Sequence, residues 1–304
     1  MGLLIVGSIG LDTVETPSGK ITNALGGSAT YISLASSYFT SDVNLVGVVG
    51  EDFSQENLNL FKSRNINLDG LQIINGGKTF RWGGKYHPDL NNRDTLFTEL
   101  NVFENFDPII PVQHREDEFV LLGNILPSLQ LRVLEQIEKP HFIVCDTMNL
   151  WINIALDDLK KVLSKVDALI INDSEAKMLA KESNLIKCAK VIRGFGPKYL
   201  IIKKGEHGAL LFGDDFIFSA PAYPIESVFD PTGAGDSFAG GFTAYLYKSK
   251  NITKENLKRA VLYGSVMASF CVEKFSTKAI ENLSTNEIKN RYNEFIELSK
   301  VEGD

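Results

Sequence analysis

A stretch of small and acidic residues around position 235 could bind an anion and accept a proton. It reads Asp230-Pro231-Thr232-Gly233-Ala234-Gly235-Asp236. The proline and two glycines exclude regular structure in its first half, whereas the small and apolar residues that follow, up to Phe242, predict a helix. The backbone amides of Gly233, Ala234 and Gly235 would then lie at the amino terminus of that helix, where unpaired donors and the helix dipole favour an anion.

Asp236 falls on the first turn of this predicted helix, beside the predicted anion site. In phosphoryl transfer a protein mainly positions groups and stabilises charge, so a carboxylate here can take the proton of an attacking hydroxyl while the amides hold the phosphoryl group. The same pattern also fits an ordinary helix cap, which stabilises a helix by about 1 kcal/mol and needs no ligand. An isolated Gly-x-Gly-Asp would favour the cap.

The complete segment resembles the signature D-x-T-G-A-G-D-x-F of the ribokinase-like (PfkB-type) small-molecule kinases, and it lies about three quarters of the way along a chain of fitting length. The resemblance favours catalysis over capping. It implies ATP and Mg²⁺ as cofactors and Asp236 as the base that deprotonates a substrate hydroxyl. It also implies that Asp230 and Thr232 correspond to a monovalent-cation site of some members, so K⁺ is a further candidate ion.

Four further motifs carry the resemblance, although each is weak alone. Asp12 and the pair Gly26 and Gly27 correspond to positions that bind the substrate. Asn172 and Glu175 match the N-x-x-E motif, which is implicated in organising magnesium and phosphate, and they also fit a helix capping pair. The residues that the resemblance places near the nucleotide are Lys204, Gly205, Glu206, Gly208, Gly264 and Ser265. Small residues at the last two positions also fit helix packing.

Two departures from the family pattern concern the acceptor. Tyr31 stands where many sugar kinases of this family have an asparagine that binds the sugar, so we expect its ring and hydroxyl at the substrate. Leu150 stands where the family's D-P-N-x-R segment has arginine, a cation that a phosphorylated sugar would need. We therefore expect an uncharged acceptor, a sugar or related polyol, with a nucleoside or an inositol as the alternative.

The elements that must position these residues follow from hydrophobic periodicity. Short apolar strands alternate with helices, which predicts a three-layer α/β/α sandwich with a mostly parallel sheet. The predicted strands are 3–6, 43–49, 119–122, 142–146, 168–172 and 199–203. The predicted helices are 29–39, 55–64, 128–138, 157–165, 173–181, 235–247, 253–271 and 286–300.

Two segments, about 13–24 and 71–104, interrupt this alternation with a period of two residues. We predict that they form a small β-sheet lid, inserted into a single kinase domain that spans residues 1–304; a long irregular loop is the alternative. Phe80, Trp82 and Tyr86 fall on one face of this predicted sheet. They fit stacking on a substrate ring, a core within the lid, or the contact of a homodimer formed through the lid.

Composition narrows the function classes. Of the 304 residues, 44% are hydrophobic, and the net charge is −7 without a basic run, so we expect a globular protein that does not bind nucleic acid. The amino-terminal apolar run is too short for a signal peptide or a membrane span, so we expect a cytoplasmic protein without a membrane partner. Cys145, Cys188 and Cys271 lie in apolar segments and are predicted to be buried thiols.

Other function classes fit less well. Gly7 and Gly10 after the first strand lack the G-x-G-x-x-G context of a dinucleotide-dependent oxidoreductase, and the G-x-x-x-x-G-K-[ST] motif of Walker-type NTPases is missing. A catalytically silent regulator that binds a nucleotide or a sugar with the same fold is a further alternative. The presence of Asp236 argues against it, because a silent regulator needs no base.

Overall fold

The computed structural model describes residues 2–298 and residue 300. Within them the strands are β1 (Leu3–Val6), β2 (Gly10–Thr16), β3 (Gly19–Gly26), β4 (Val43–Gly50), β5 (Ile66–Ile74), β6 (Phe80–Tyr86), β7 (Arg93–Glu99), β8 (Phe119–Leu122), β9 (Phe142–Asp146), β10 (Ala168–Asn172), β11 (Tyr199–Lys203), β12 (Ala209–Phe212) and β13 (Ile217–Ala220). The helices are α1 (Ser28–Ser36), α2 (Gln55–Ser63), α3 (Pro127–Leu134), α4 (Asn149–Ile154), α5 (Leu156–Leu163), α6 (Asp173–Ala180), α7 (Leu185–Arg193), α8 (Ala234–Ser249), α9 (Lys254–Cys271) and α10 (Thr285–Glu297).

The central sheet confirms the predicted α/β/α sandwich. Its strand order is β13-β12-β11-β10-β9-β8-β1-β4-β5; the strands from β11 to β5 run parallel to one another, and β12 and β13 are added antiparallel. Both faces are covered: Leu3 and Ile5 of β1 belong to one buried apolar cluster, and Leu4 and Val6 belong to the other. Since parallel strands point the same way, their carboxyl ends share one edge, and the site lies at that edge.

A second sheet has the order β3-β2-β6-β7. Strands β2 and β6 are parallel, so that Asp12 stands directly beside Trp82, whereas the other two pairs are antiparallel. Several hydrogen bonds connect this sheet to the loop before α8. Thr16 Oγ1 donates to the carbonyl of Phe229 at 2.8 Å, and Thr232 Oγ1 donates to the hydroxyl of Tyr86 at 3.2 Å.

The structure differs from the predicted elements mainly at sheet edges. Residues 71–74, placed in the second lid segment from the sequence, belong to β5 and pair with β4 in the central sheet. β5 is a partly exposed edge strand, so it shows the same alternation of apolar and polar residues as a strand of the small sheet. Residues 101–105 form a 3₁₀ turn instead of a strand. Helices α4 and α7 and strands β12 and β13 were not predicted.

The last helix, the three cysteines and the length of the helices also bear on predictions from the sequence. The predicted helix 286–300 corresponds to α10, which ends at Glu297, and residues 299 and 301–304 lie outside the described part. Cys145, Cys188 and Cys271 are free and buried, as predicted. None of the helices in the described ranges has the length and apolar character that crossing a bilayer requires.

Candidate active site

The site is assembled where the carboxyl ends of the parallel strands meet the amino terminus of α8. Asp146, Asn172 and Lys203 are the last residues of β9, β10 and β11. A Cβ on Gly235 would lie 2.7 Å from Lys203 Nζ, so the first turn of α8 and the end of β11 are in immediate contact. Residues from distant parts of the sequence therefore converge on one small region.

The start of α8 depends on its glycines. Gly233 has a φ of 77°, a left-handed conformation, and the ring of Tyr31 occupies the place that a side chain at 233 would need. The Ala234 amide donates to the carbonyl of Pro231 at 3.2 Å, so this amide is already engaged in the turn. First-turn amides of a helix have no acceptor within the helix, and among the described residues the Gly235 amide has no hydrogen-bond acceptor.

Asp236 lies on the first turn of α8 and is partly buried. Burial, followed by the negative charge of Asp146, raises the pKa of its carboxyl to about 7, although the positive charges of Lys203 and Arg93 oppose the shift. A carboxylate whose pKa is near neutrality is well matched to accept a proton from an alcohol. Asp236 thus has both the position and the acidity of a general base.

Asp12 is the second buried carboxyl of the cleft, with 5% of its surface exposed. Burial and the charge of Asp230 raise its pKa to about 7. Its carboxylate occupies the space that a Cβ on Gly26 would take, and Gly27 has a φ of 91° with the Ser8 carbonyl 2.5 Å from its Cβ position. Both predicted glycines are therefore required by close backbone approach next to Asp12.

Asn172 and Glu175 form the capping box of α6. The backbone amide of Asn172 donates to Glu175 Oε2, and the backbone amide of Glu175 donates to Asn172 Oδ1, both at 2.8 Å. Burial raises the pKa of Glu175 to about 7, while Lys203 lowers it. A carboxylate is a ligand that Mg²⁺ prefers, and a bound ion would favour the ionised form of Glu175, so a role of the capping pair in holding Mg-ATP stays a prediction.

The residues predicted near the nucleotide occupy two different settings. Gly205 and Gly208 have φ values of 54° and 81°, and the Lys204 amide donates to the Gly208 carbonyl at 2.7 Å, so they form a tight turn after β11. Glu206 is exposed and accepts from the side chain of Asn91, in the loop between β6 and β7, at 3.4 Å. Gly264, by contrast, is buried where α9 crosses α8: its Cβ position lies 2.8 Å from the Phe238 carbonyl.

Helix packing therefore accounts for Gly264, and its place near the nucleotide stays a prediction. Its neighbour Ser265 is partly buried on the same helix. Tyr31, predicted at the substrate, is 2% exposed and lies under Gly233, so its ring supports the loop before α8. Packing accounts for the residue type at positions 31 and 264, and the predicted ligand contacts of Tyr31, Gly264 and Ser265 stay predictions.

Asp230 joins two loops at the predicted cation site. Its two carboxylate oxygens accept from the amides of Thr232 at 2.9 Å and Ser276 at 3.0 Å. Burial raises its pKa. These hydrogen bonds give the buried carboxylate partners within the protein, and a role for K⁺ stays a prediction.

Three charged residues of the site were missed by sequence reasoning. Lys203 Nζ lies 4.0 Å from Asp146 Oδ1, with 17% of the lysine side chain exposed. The Arg93 guanidinium of β7 lies 5.5 Å from the ring of Trp82, and its charge lowers the pKa values of Asp12, Glu175 and Asp236. A polar residue that ends a buried strand could have indicated Lys203 and Asp146. Nothing local indicates Arg93, which reaches the cleft through the small sheet.

A buried carboxylate beside a helix amino terminus and a capping glutamate, at one edge of an α/β/α sandwich, are the features expected of a small-molecule kinase. The model of the pfkB family carbohydrate kinases matches residues 6–283, and the chain belongs to that family. It is therefore a phosphotransferase that acts on a hydroxyl group of a small molecule.

Two relatives illustrate the range of the family. The chain is 30% identical over 249 residues to the cytidine kinase of Thermococcus kodakarensis, covering 80% of this chain and 88% of the relative. It is 24% identical over 285 residues to fructokinase-2 of Zea mays, covering 87% and 84%.

Solved structures share the fold at low identity. The nucleoside kinase of Burkholderia thailandensis in complex with inosine superimposes with a TM-score of 0.75 at 19% identity, covering 97% of this chain and 99% of the other. A putative ribokinase II from E. coli in complex with ATP and Mg²⁺ gives 0.79 at 17% identity, covering 96% and 99%. ATP and Mg²⁺ are consistent with these structures of the family.

Proposed function

We propose that this kinase transfers the γ-phosphoryl group of Mg-ATP to a ribose hydroxyl of a nucleoside. The observation that supports a nucleoside as the acceptor is the position of Trp82 beside Asp12. The two residues are paired in register on the parallel strands β2 and β6, and such pairs direct their side chains to the same face. A carboxylate that binds sugar hydroxyls then lies next to an aromatic ring that can stack on a base. The likeness to the cytidine kinase supports the same acceptor.

In this mechanism Asp12 accepts hydrogen bonds from the ribose, and the Asp236 carboxylate accepts the proton of the attacked hydroxyl. The hydroxyl oxygen bonds to the γ-phosphorus as the bond to the β-γ bridging oxygen breaks, which releases ADP. The first-turn amides of α8 stabilise the charge on the transferred group. Mg²⁺, when bound, neutralises phosphate oxygens, and Asn172 and Glu175 are the residues that would hold it.

A free sugar is the second candidate, favoured by the likeness to fructokinase-2. Asp12 and Asp236 could bind and deprotonate a sugar as well as a nucleoside, since both kinds of acceptor carry vicinal hydroxyls. Leu150, exposed on α4, supplies no cation for a sugar that is already phosphorylated. The two candidates therefore differ in whether the acceptor carries an aromatic base to place against Trp82.

An ADP-release assay with Mg-ATP tests this proposal on cytidine, uridine, adenosine and inosine beside ribose and fructose. We expect turnover of at least one nucleoside at a higher kcat/KM than any sugar. Trp82→Ala should lower nucleoside kcat/KM about tenfold by loss of stacking. Phe97→Ala is the matched control, because Phe97 lies on the opposite face of the small sheet, over Gly83. A preference for sugars in the wild type would overturn the nucleoside assignment.

A further inference from the structure

The side chain of Lys203 carries a positive charge in the middle of a cluster of carboxylates. Its charge lowers the pKa values of Asp146, Glu175 and Asp236, which belong to three different elements. The side chain is 17% exposed, so most of it is removed from water. Holding a largely buried ammonium is costly for a protein unless partners compensate.

The ammonium lacks such partners within the protein. Its shortest ion pair, with Asp146 Oδ1, is 4.0 Å long and exceeds hydrogen-bond distance. Among residues 2–298 and 300, no hydrogen bond from Nζ is formed, although a lysine ammonium has three donors. Donors in this setting call for an acceptor from outside the chain.

The position of Nζ indicates what that acceptor is. It lies 2.7 Å from the Cβ position of Gly235, so only a glycine allows the ammonium to rest over the first turn of α8. The Gly235 amide of that turn has no acceptor among the described residues, and the positive end of the helix dipole lies at the same turn. An ammonium beside an unpaired amide at a helix amino terminus forms a site for a multiply charged anion with several acceptor oxygens, such as a phosphoryl group.

We propose that Lys203 is a catalytic residue that binds the γ-phosphoryl group during its transfer. This inference rests on the proposed function in taking ATP as the donor, but it is independent of the acceptor. The bound phosphoryl group completes the hydrogen bonds of the ammonium. The competing explanation is that Lys203 only neutralises the neighbouring carboxylates.

The two explanations differ in how nucleotides bind. We propose calorimetry of the full chain with Mg²⁺ and either ADP or AMP-PNP, a non-hydrolysable analogue that retains the γ-phosphoryl group. Lys203→Met should lower the affinity for AMP-PNP relative to ADP about tenfold or more, because a hydrogen bond to a charged group is lost. The affinity for ADP itself should stay within about threefold, and Lys203→Arg should restore part of the preference.

Lys198→Met is the matched control, since Lys198 precedes the same strand β11 at its other end and is exposed. Its ratio of affinities should equal that of the wild type. The double variant Asp146→Asn with Lys203→Met removes both charges of the loose pair together and tests the case in which the single variant does not fold. It should show the same loss of preference.

A folded Lys203→Met or double variant with the wild-type ratio of affinities would overturn the proposal, and so would an equal loss for both nucleotides. A wild-type chain that binds neither nucleotide would refute the ATP donor and Lys203 together. A wild type that binds both nucleotides but phosphorylates no nucleoside would refute the acceptor alone, because the test of Lys203 needs no acceptor.

Discussion

Burial of Asp236 destabilises the ligand-free fold and at the same time makes its carboxylate a better base. Because the pKa rises from 3.8 to about 7, the native state binds more protons than the unfolded state in the window between these values. The free energy of unfolding therefore falls as the pH rises from about 4 to 7. Asp12 and Glu175 are shifted in the same direction and add to the effect.

Asp236→Asn should separate these two consequences. We expect kcat to fall by about 10²-fold to 10⁴-fold, because the amide cannot accept the proton. The melting temperature without ligand should rise at pH 8 by roughly 2–4 °C, since a buried charge is removed, and should change less at pH 5.5. Calorimetry and steady-state kinetics measure both quantities. Near-normal turnover would contradict the role of Asp236.

The pH dependence of the wild type gives an independent test of the same residue. The base must be ionised, so kcat/KM should decrease about tenfold per pH unit below pH 7 and level off above it. Rates at saturating Mg-ATP between about pH 5.5 and 8.5 would show this. An acid limb that falls near the ordinary pKa of an aspartate would mean that the carboxyl is not shifted in the working enzyme.

At the scale of elements, two helices begin with the same capping box but in different surroundings. Asn172 and Glu175 start α6 at the cleft, where Glu175 is partly buried, and Ser284 and Glu287 start α10 on the exposed surface. Burial raises the pKa of Glu175, whereas hydrogen bonds from Ser284 lower that of Glu287. The motif alone does not distinguish a cap from a cap that also binds magnesium.

Glu175→Gln and Glu287→Gln make this comparison experimentally. Glutamine still accepts the hydrogen bond of the capping box, so neither change should lower the melting temperature by more than about 2 °C. Only Glu175→Gln should lower kcat/KM for Mg-ATP, by about tenfold or more, because it removes a carboxylate from the magnesium site. Equal kinetic constants for the two variants would mean that Glu175 caps the helix and does not contribute to the magnesium site.

At the scale of the whole molecule, the small sheet is tied over the cleft by hydrogen bonds from three of its strands. Besides Thr16 and Tyr86, the carbonyl of Leu25 accepts from Ser276 Oγ at 2.5 Å. Asp12 and Trp82 lie on the same sheet, so in the proposed mechanism the position of the sheet decides where the acceptor is held. A sheet that covers the site and excludes water would also limit the hydrolysis of ATP when no acceptor is bound.

Tyr86→Phe should loosen this cover by removing the hydrogen bond with Thr232. We expect kcat/KM for the acceptor to fall about fivefold, as for loss of about 1 kcal/mol, and the ratio of ATP hydrolysis to transfer to rise. Tyr223→Phe is the control: it removes a tyrosine hydroxyl that hydrogen-bonds Glu294 on the surface. An unchanged ratio in Tyr86→Phe would mean that this contact does not control closure.

The sequence by itself determined the fold class and the family, and it predicted the segment proposed for phosphoryl transfer. Asp236 and the glycines at 233 and 235 are contiguous, so their chemistry follows from local helix geometry. The alternation of buried strands and helices was likewise sufficient for the parallel sandwich, because right-handed crossovers leave few other arrangements.

Only the tertiary structure brought Lys203, Asp146 and Arg93 to Asp236. Their meeting depends on strand order and on how the small sheet folds over the cleft, and local periodicity contains neither. The same holds for Tyr31, which supports Gly233. It also holds for residues 71–74, which belong to the edge strand β5 but show the alternating pattern of the small sheet. Long-range pairing decides which side chains share a space, and the sequence pattern records only which face of an element is apolar.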